Sequence, residues 1–481
     1  MGTGFHIENF GCRAARADGE AIAAQLRGEG ILERQPIAAE VVIVNTCSVT
    51  AEADREARAF IRRANRQNPA AKIVVTGCYA QRAPAELAGL AGVAAVVGNS
   101  HKAFAPEIAL GLLGRFARPD KEARSSLIVS VQELLAGSDS ALVLADDSFA
   151  HSFLEVSQVL PGAQTRPNLK IQEGCGNRCS FCVIPQTRGS SRSLPAANVM
   201  QQVAGFVASG GKELVFSGIN LGRWGRDIST GPGEERRSLA GLVLRIIEQT
   251  ELPRLRLSSI EPMDWDAELI ALMAEFGGTR LARHAHLPLQ SGADAVLRRM
   301  HRRYRPWHYA DKVDALARAA GPALTVGADI MVGFPGETDT EFEETVALVQ
   351  ALPFGYLHLF PFSARPGTQA WALHKEKPVA PQAVQERMAT LRALAAEKSR
   401  MHRERFVGKE LDAITLNTPE GQASRGRTAA LTENFLQVEL VGRSEANRLV
   451  RVRVDGLNAE GALLAAEVKM AAELPASAAA D

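Results

Sequence analysis

Three of the six cysteines in this 481-residue chain lie within one short segment, GCGNRCSFCVIP. Cys175, Cys179 and Cys182 have three and then two residues between them. Thiolates at such short spacing in one loop are typical of the ligands of iron–sulfur clusters. Three thiolates on a four-iron cluster leave one iron open, and an open metal position is where chemistry takes place.

Other thiol chemistry fits this segment less well. A structural zinc site needs four ligands, and no second cysteine pair or nearby histidine completes such a set. A disulfide framework is typical of short secreted chains with many cysteines, unlike this chain. A C-x-x-C redox pair would explain Cys179 and Cys182 but would leave Cys175 without a role. Ordinary thiols are the remaining alternative, which three cysteines in eight positions disfavour.

Each of the other three cysteines follows a short run rich in β-branched or aromatic residues. Cys12 ends HIENFGC, Cys47 ends VVIVNTC and Cys78 ends KIVVTGC. Such runs predict buried strands that stop at the thiol, and apolar residues at helical spacing between the last two predict a helix. Parallel strands of a βαβ arrangement end at one edge of a sheet, so the three thiols are predicted to meet there. Three unrelated core cysteines are the alternative.

The spacing C-x3-C-x2-C, with Phe181 just before the last cysteine, resembles the signature of the radical S-adenosylmethionine (SAM) enzymes. Two cysteine triplets in this order resemble, more narrowly, the radical SAM methylthiotransferases. The motifs that carry the likeness include NTCSVTAEADREAR, GCGNRCSFCVIPQTRG, FSGINLGRWGRD, RLSSIEP, HLPLQSG, DIMVGFPGET and FPFSARPGT. They extend over nearly the whole chain, from about residue 4 to about residue 468.

The resemblance implies two 4Fe-4S clusters and SAM as cofactors. It makes Cys175, Cys179 and Cys182 the catalytic cluster ligands, where SAM is cleaved to a 5′-deoxyadenosyl radical that abstracts hydrogen from the substrate carbon. Cys12, Cys47 and Cys78 would hold the second cluster, whose open iron carries a sulfur that a further SAM methylates. The result is insertion of a methylthio group into an unactivated C–H bond, which acid–base side chains cannot achieve.

The hydrophobic periodicity predicts an α/β chain in three blocks. Residues 1–100 alternate strands and helices and predict a parallel α/β domain, while residues 101–165 read as a connector with some helix, or in part as disorder. Residues 166–400 contain six strand candidates, from NLKIQEG to YLHLFPF, which predict a partial (β/α)6 radical SAM barrel with its site at the carboxyl ends of the strands. Residues 405–470 predict a small antiparallel β-barrel, which the resemblance identifies with the RNA-binding TRAM domain.

Composition excludes several classes of protein. Hydrophobic residues are 46%, charged residues 23% and the net charge is +1, which fits neither a disordered nor a membrane chain. The sequence has no run of eighteen apolar residues and no basic-then-apolar start, so we expect a cytoplasmic enzyme without membrane contact. Because the net charge is near zero, any nucleic-acid binding must depend on local basic patches.

Several residues near predicted strand ends are candidates for binding SAM. Gly211 and Glu213 lie in GGKE, which resembles the superfamily segment that contacts the methionine amino group, although a helix-to-strand turn explains it nearly as well. Asp329 in GADIMVGFPGE is a candidate for a ribose hydroxyl, with a structural aspartate as the alternative. Ser259, Glu261 and Gln290 fall at predicted strand ends and are expected, together with Phe181, to line the cofactor cavity.

Arginine-rich segments are candidates for RNA contacts. LRRMHRRYRPW places five arginines around a tyrosine and a histidine, and basic residues also follow Cys47 and occur in ASRGRT. Solvated helix faces are the alternative, but arginines beside aromatic rings suit phosphates and bases. The candidate RNA contacts are Arg62, Arg63, Arg302, Arg303, Arg425 and Arg427.

The family's substrates are adenosine 37 of tRNA, carrying a threonylcarbamoyl or an isopentenyl group, or an aspartate of a ribosomal protein. The run NTCSVTAEADREARAFIRRA most resembles the threonylcarbamoyl branch, whereas GCRAARADGE departs from the family at Arg13 and the two alanines after it. The resemblance implies three partners: the tRNA anticodon loop, an electron donor such as flavodoxin or ferredoxin, and a sulfur source. A non-catalytic RNA-binding protein is the alternative of another class, but it would need none of the cysteines.

Overall fold

The computed structural model describes residues 3–115, 140–151, 165–229 and 237–468. Its amino-terminal strands are β1 (Gly4–Asn9), β2 (Leu32–Glu33), β3 (Val41–Thr46), β4 (Lys72–Gly77), β5 (Val93–Gly98) and β6 (Leu142–Leu144). They form one parallel sheet in the order β2-β1-β3-β4-β5-β6. The helices of this part are α1 (Arg13–Gly28), α2 (Ala51–Gln67), α3 (Cys78–Arg82), α4 (Pro84–Ala88) and α5 (Ala105–Leu112).

The central strands of this sheet are apolar throughout because helices cover both of its faces. On one face, Ile43 and Val74 pack with residues of α1 and α5. On the other, Val42 and Ile73 pack with residues of α2. The Thr50 side chain caps α2 by accepting a hydrogen bond from a backbone N–H of its first turn, so the helix begins just after the loop that follows β3.

The central part contains β7 (Asn168–Glu173), β8 (Arg192–Ser193), β9 (Glu213–Gly218), β10 (Arg254–Leu257), β11 (His284–His286), β12 (Thr325–Val332) and β13 (Phe354–Pro361). Its helices are α6 (Ile184–Arg188), α7 (Ala196–Ala208), α8 (Leu239–Gln249), α9 (Ala267–Phe276), α10 (Asp294–Arg299), α11 (Pro306–Ala320), α12 (Asp339–Ala351), α13 (Gln369–Glu376) and α14 (Pro381–Glu404). All the strands except β8 run parallel, in the order β7-β9-β10 and β11-β12-β13, and a bridge between Leu255 and Leu281 joins the two sets.

These six parallel strands form an open arc, which confirms the predicted partial barrel. Alternate residues such as Leu214, Ala285 and Ile330 face the helices and belong to one large hydrophobic core. The residues between them, among them Glu213 and His286, therefore line the inner face of the arc.

The carboxy-terminal part is a closed barrel. Its strands are β14 (Glu410–Thr415), β15 (Arg427–Thr432), β16 (Gln437–Val441), β17 (Leu449–Leu457) and β18 (Leu463–Glu467), with the short helix α15 (Glu420–Ala423). The barrel order is β14-β15-β16-β18-β17, and β16 pairs with β18 in parallel while the other pairs are antiparallel. Its turn after β15 docks at the amino ends of the central strands, where Glu433 pairs with Arg283 and the Thr432 carbonyl accepts from Arg256.

The predicted strands of the first two blocks are present, and the structure differs elsewhere. Strand β6 lies inside the predicted connector yet extends the first sheet, whereas residues 116–139 and 152–164 of that connector lie outside the described residues. Strands β15 and β18 were not predicted, because their alternation is short and broken by small residues. The residue ranges of the domains stay predictions. In the described part of the chain, no helix combines the length and apolar character that a membrane crossing requires.

Candidate active site between two cysteine triplets

The first cysteine triplet lies at the carboxyl edge of three neighbouring strands. Cys12 follows β1, Cys47 follows β3 and Cys78 follows β4 directly, and these strands pair side by side in parallel. Cys47 and Cys78 are buried, whereas Cys12 is exposed. Gly11 has φ 99°, and a Cβ at this position would lie 2.6 Å from the Cys47 sulfur, so only glycine fits beside this thiol.

Polar groups surround the sulfur atoms of this triplet. The Arg188 Nε donates to the Cys78 Sγ at 3.2 Å, and the Asn99 Nδ2 donates to the same atom at 3.4 Å. Burial, together with the neighbouring Cys78 and Cys12 thiols, raises the pKa of the Cys47 thiol to about 12. The thiol is therefore neutral until a metal displaces its proton.

The second triplet lies in the loop after β7, at the carboxyl edge of the central arc. Backbone N–H groups donate to the sulfurs of Cys175 and Cys182 at 3.4 Å. The Arg302 Nη1 donates to the Cys179 sulfur at 3.3 Å, and the Asn220 Nδ2 donates to that of Cys175 at 3.5 Å. Burial raises the pKa of the Cys182 thiol to about 12.

Hydrogen-bond donors point at sulfur atoms of both triplets. Arg188 and Asn99 donate to the Cys78 sulfur, and Arg302 donates to that of Cys179. Hydrogen bonds to the ligand sulfurs are a feature of the surroundings of iron–sulfur clusters.

A buried ion network joins the two triplets. Its carboxylates belong to Asp18 on α1 and Glu173 at the end of β7, and its cations belong to Lys102, Lys170 and Arg188. The Arg188 Nη1 lies 2.6 Å from a Glu173 oxygen and 3.2 Å from an Asp18 oxygen. The amino-terminal sheet and the loop of the second triplet therefore share one set of charges, which fixes their relative position.

A second buried contact ties the two parts together on the other side. One oxygen of Asp54 on α2 lies 2.8 Å from both the Arg82 and the Arg365 guanidinium groups. Arg365 belongs to the segment FPFSARPGT after β13, and the Ser363 hydroxyl of that segment accepts from the Ala51 N–H. The motifs NTCSVTAEADREAR and FPFSARPGT, which both carry the family resemblance, are therefore in direct contact with each other.

Comparisons with known proteins agree with this architecture. A family model described as uncharacterized protein family UPF0004 matches residues 4–98, and the radical SAM superfamily model matches residues 169–349. The threonylcarbamoyladenosine tRNA methylthiotransferase MtaB of Aquifex aeolicus is 33% identical, over 93% of this chain and 99% of that protein. The Bacillus subtilis protein of the same name is 34% identical, over 94% and 93%. The tRNA-2-methylthio-N(6)-dimethylallyladenosine synthase of Geobacter sulfurreducens is 33% identical, over 94% and 91%. The chain belongs to the radical SAM tRNA methylthiotransferases.

A solved structure shares the fold. The radical S-adenosylmethionine methyltransferase TsrM from Kitasatospora setae matches with a TM-score of 0.50 and 15% identity, over 77% of each chain. As a radical SAM methylthiotransferase, this chain uses SAM and two 4Fe-4S clusters. The assignment of one cluster to each cysteine triplet stays a prediction.

Two residues predicted to contact SAM lie at the wrong end of the methylthiotransferase barrel. Glu213 begins β9, and its carboxylate is fully buried against Arg256 and Arg254, near the amino ends of the strands. Gly211 precedes it, and a Cβ there would meet the Phe206 ring. The GGKE segment is therefore a helix-to-strand turn. The carboxyl end of the same strand leads to Asn220 of FSGIN, which contacts the Cys175 sulfur and was missed.

The other candidates for SAM contacts lie nearer the second triplet or on the inner face. Ser259 follows β10 and is half-buried, and Phe181 packs half-buried against the core. Gln290 is buried with φ 67°, and its Oε1 has no hydrogen-bond partner among the described residues. A cavity of about 290 Å³ beside Cys179 is lined by Glu261 and Arg302, among others. These residues stay candidates for holding SAM.

The inner face of β11 to β13 is polar. Asp329 lies 3.0 Å from the His286 Nε2 and 3.1 Å from the His358 Nδ1. Burial opposes ionisation of Asp329, but hydrogen bonds with both histidines outweigh it and lower its pKa. The Tyr356 hydroxyl contacts His286 at 2.9 Å. Neither histidine was predicted, although both lie on strands next to β12, with His358 in register with Asp329 and His286 in register with Gly327.

Residues of all three parts of the chain meet beside this inner face. Phe435, from the carboxy-terminal barrel, has φ 69° and stacks on His284 with a centroid distance of 4.3 Å. The guanidinium of Arg13, next to Cys12, lies 5.6 Å from the centre of the Phe435 ring. Arg13 is exposed and makes no ion pair with an acidic side chain in the described part of the chain. Its cation therefore lies where the three parts meet, beside Phe435.

The candidate RNA contacts divide into surface and interior residues. Arg62 and Arg63 are exposed on α2, and Arg303, Arg425 and Arg427 are exposed or half-buried. Arg302 does not lie on that surface. Arg302 is buried against the Cys179 sulfur and lies 2.5 Å from a Glu261 oxygen. The charge pattern of LRRMHRRYRPW does not show which of its arginines are buried and which are solvated.

Proposed function

We propose that this methylthiotransferase acts on N6-threonylcarbamoyladenosine 37 of tRNA and inserts a methylthio group at C2. Its relatives from Aquifex aeolicus and Bacillus subtilis are named threonylcarbamoyladenosine tRNA methylthiotransferases. The observation that carries the choice of substrate is the polar wall formed by His286, Asp329 and Tyr356, with the cation of Arg13 over the adjacent Phe435 ring.

The two adenosine substituents differ in the wall they need. A threonylcarbamoyl group carries a carboxylate, a hydroxyl and N–H groups, all of which require partners when water is excluded. An isopentenyl group is a hydrocarbon and gains most from an apolar wall. The inner face supplies donors, acceptors and an unpaired guanidinium, so it suits the threonylcarbamoyl group. The isopentenyl activity of the Geobacter sulfurreducens relative is the second candidate.

The chain's own residues supply position and charge to the chemistry. Cys175, Cys179 and Cys182 would hold the cluster that supplies the electron for cleavage of SAM, and Cys12, Cys47 and Cys78 would hold the cluster that supplies the sulfur carrier. Arg302, bonded to both Cys179 and Glu261, fixes the loop of the second triplet. Gln290 and Ser259 are proposed to hold SAM at the carboxyl edge of the arc, and the ion network keeps both triplets facing one space.

The surface supports binding of a tRNA. A cleft of about 380 Å³ on the carboxy-terminal barrel is lined by Arg427 and Arg443, by threonine and serine hydroxyls and by one carboxylate, that of Glu420. Arginine and hydroxyl groups bind phosphate oxygens, which positions an RNA without reading its sequence. Arg62 and Arg63 are proposed to contact the same tRNA. We expect the reaction to take place in the cytoplasm with an electron donor such as flavodoxin or ferredoxin and a separate sulfur source.

The substrate is tested in anaerobic reactions with two tRNAs that carry either the threonylcarbamoyl or the isopentenyl group on adenosine 37. Mass spectrometry of the nucleosides should find the 2-methylthio product of the threonylcarbamoyl form, with little product from the other. Equal or faster conversion of the isopentenyl form would refute the assignment. Nucleosides from cells lacking the gene give the matching test in vivo.

Arg13 provides a matched pair of variants for the same assay. Arg13→Met should lower kcat/KM for the threonylcarbamoyl tRNA by roughly 10- to 100-fold, since a hydrogen bond to a charged group contributes about 1.5–3 kcal/mol. Arg16→Met, an exposed arginine one turn later on α1, is the control and should change little. Equal effects of the two substitutions would show that Arg13 does not meet the substrate.

A further inference from the structure

Arg188 reaches from the loop of one cysteine triplet to a thiol of the other. It ends α6, six residues after Cys182, and its side chain is fully buried. Its Nε donates to the Cys78 sulfur at 3.2 Å, while its Nη1 binds Glu173 and Asp18. Each cysteine triplet thus has one buried arginine at a sulfur atom, since Arg302 does the same at Cys179.

The remaining guanidinium nitrogen of Arg188, Nη2, is an unsatisfied hydrogen-bond donor. It is buried and has no acceptor among the described residues. A buried donor without an acceptor costs about 1–3 kcal/mol. A sulfide or a bound sulfur at the first triplet would supply the acceptor that this nitrogen lacks.

Arg188 brings a buried positive charge to the first triplet. Among the described residues, the network combines the carboxylates of Asp18 and Glu173 with the cations of Lys102, Lys170 and Arg188, and all five side chains are buried. The Arg188 guanidinium is the cation that contacts the Cys78 sulfur. Net charge and hydrogen bonds to sulfur are among the factors that set the reduction potential of an iron–sulfur cluster. Both act here in the same direction, toward easier reduction.

We propose that Arg188 is a positioning residue of the amino-terminal cluster and raises its reduction potential from within the loop that binds the central cluster. The central cysteine loop thereby sets the electronic properties of the cluster that carries sulfur. This inference depends on the two clusters but not on the tRNA substrate, so the substrate assignment can fail without affecting it.

The test measures the reduction potential of the amino-terminal cluster alone. Cys175, Cys179 and Cys182 are replaced by alanine, the protein is reconstituted anaerobically, and the cluster is titrated with electron paramagnetic resonance as the signal. In this background, Arg188→Met should disfavour reduction at least tenfold, which is 59 mV for one electron. Arg188→Lys keeps the charge and should recover part of the loss. Arg302→Met is the control and should leave this potential unchanged.

The substitution at Arg188 leaves Asp18 and Glu173 each paired with Lys102 and Lys170, so both buried carboxylates keep a cation and the fold should persist. Iron content and thermal unfolding check that it does. If Arg188→Met nevertheless loses its iron, Asp18→Asn decides, because removing a negative charge from the same network should raise the potential. A parent-like potential in an iron-replete Arg188→Met protein, or an unchanged or lower one in Asp18→Asn, would overturn the proposal.

Discussion

Replacing Asp54 with asparagine is expected to weaken the contact between the amino-terminal sheet and the barrel. The carboxylate is 4% exposed, and one of its oxygens lies 2.8 Å from both the Arg82 and the Arg365 guanidinium groups. Asparagine keeps the shape of the side chain but removes the charge, so two arginines, one of them deeply buried, lose their counter-ion.

The magnitude follows from the burial of this contact. Breaking a buried ion pair by removing one partner costs about 3–5 kcal/mol. For a folding unit of about 150–250 residues, each kcal/mol lowers the melting temperature by roughly 2–4 °C, so a shift of about 6–20 °C is expected in the first thermal transition. The same loosening should raise the ratio of abortive SAM cleavage to methylthio product, since the two triplets lose their fixed separation.

The matched control is Glu52→Gln on the same helix. The pair of Glu52 with Arg55 is on the surface, with side chains 60% and 61% exposed. Exposed pairs contribute about 0–1 kcal/mol, so this substitution should barely change the transition. Differential scanning calorimetry compares the two proteins. Melting temperatures within about 2 °C of each other would show that the Asp54 contact does not hold the two parts together.

Three further predictions follow from charge and burial. In the protein without iron, iodoacetamide at pH 8 should modify exposed Cys12 well before Cys47 and Cys182, because burial raises the pKa of the latter two thiols to about 12. Equal rates of modification, followed by mass spectrometry, would contradict this. Burial alone would raise the pKa of Glu213, but Arg256 and its neighbours lower it to about 2, below the ordinary 4.5. The ionised carboxylate therefore stabilises the folded protein above pH 4.5, and this stabilisation is lost as the pH falls toward 2. Glu213→Gln should therefore melt well below the wild type at pH 7, with the gap narrowing across that window, and a constant gap would refute the charge argument. Replacing the two arginines of the carboxy-terminal cleft with glutamine should reduce the salt slope of tRNA affinity by about 1–2, and an unchanged slope would move RNA binding elsewhere.

Local sequence was enough to predict that the thiols of the first triplet lie at the ends of strands, because a short run rich in β-branched or aromatic residues precedes each of these cysteines. The strands before Cys12, Cys47 and Cys78 pair side by side, and the parallel arrangement brings their ends to one edge. The central arc was predictable for the same reason, since its strands alternate with amphipathic helices.

Contacts between distant segments could not be predicted from spacing. Arg188 and Arg302 look like ordinary basic residues in the sequence, yet each reaches a sulfur because of how the loops pack in three dimensions. Glu213 was misplaced because GGKE resembles a binding segment while its position before β9 puts it at the far end of the strand. Deciding which end of a strand a motif occupies would have corrected this error from sequence alone.

The most direct test of the central claim is a single reaction with the protein in which Cys12, Cys47 and Cys78 are replaced by alanine. Iron, 5′-deoxyadenosine and methylthio nucleoside are measured in the same sample with tRNA and SAM. Reconstituted wild type should hold about eight irons and the variant about four, as expected for two clusters and one. We predict that the variant still forms 5′-deoxyadenosine but makes no methylthio product. Methylthio transfer at the wild-type rate, or unchanged iron content, would contradict a division of labour between the two triplets.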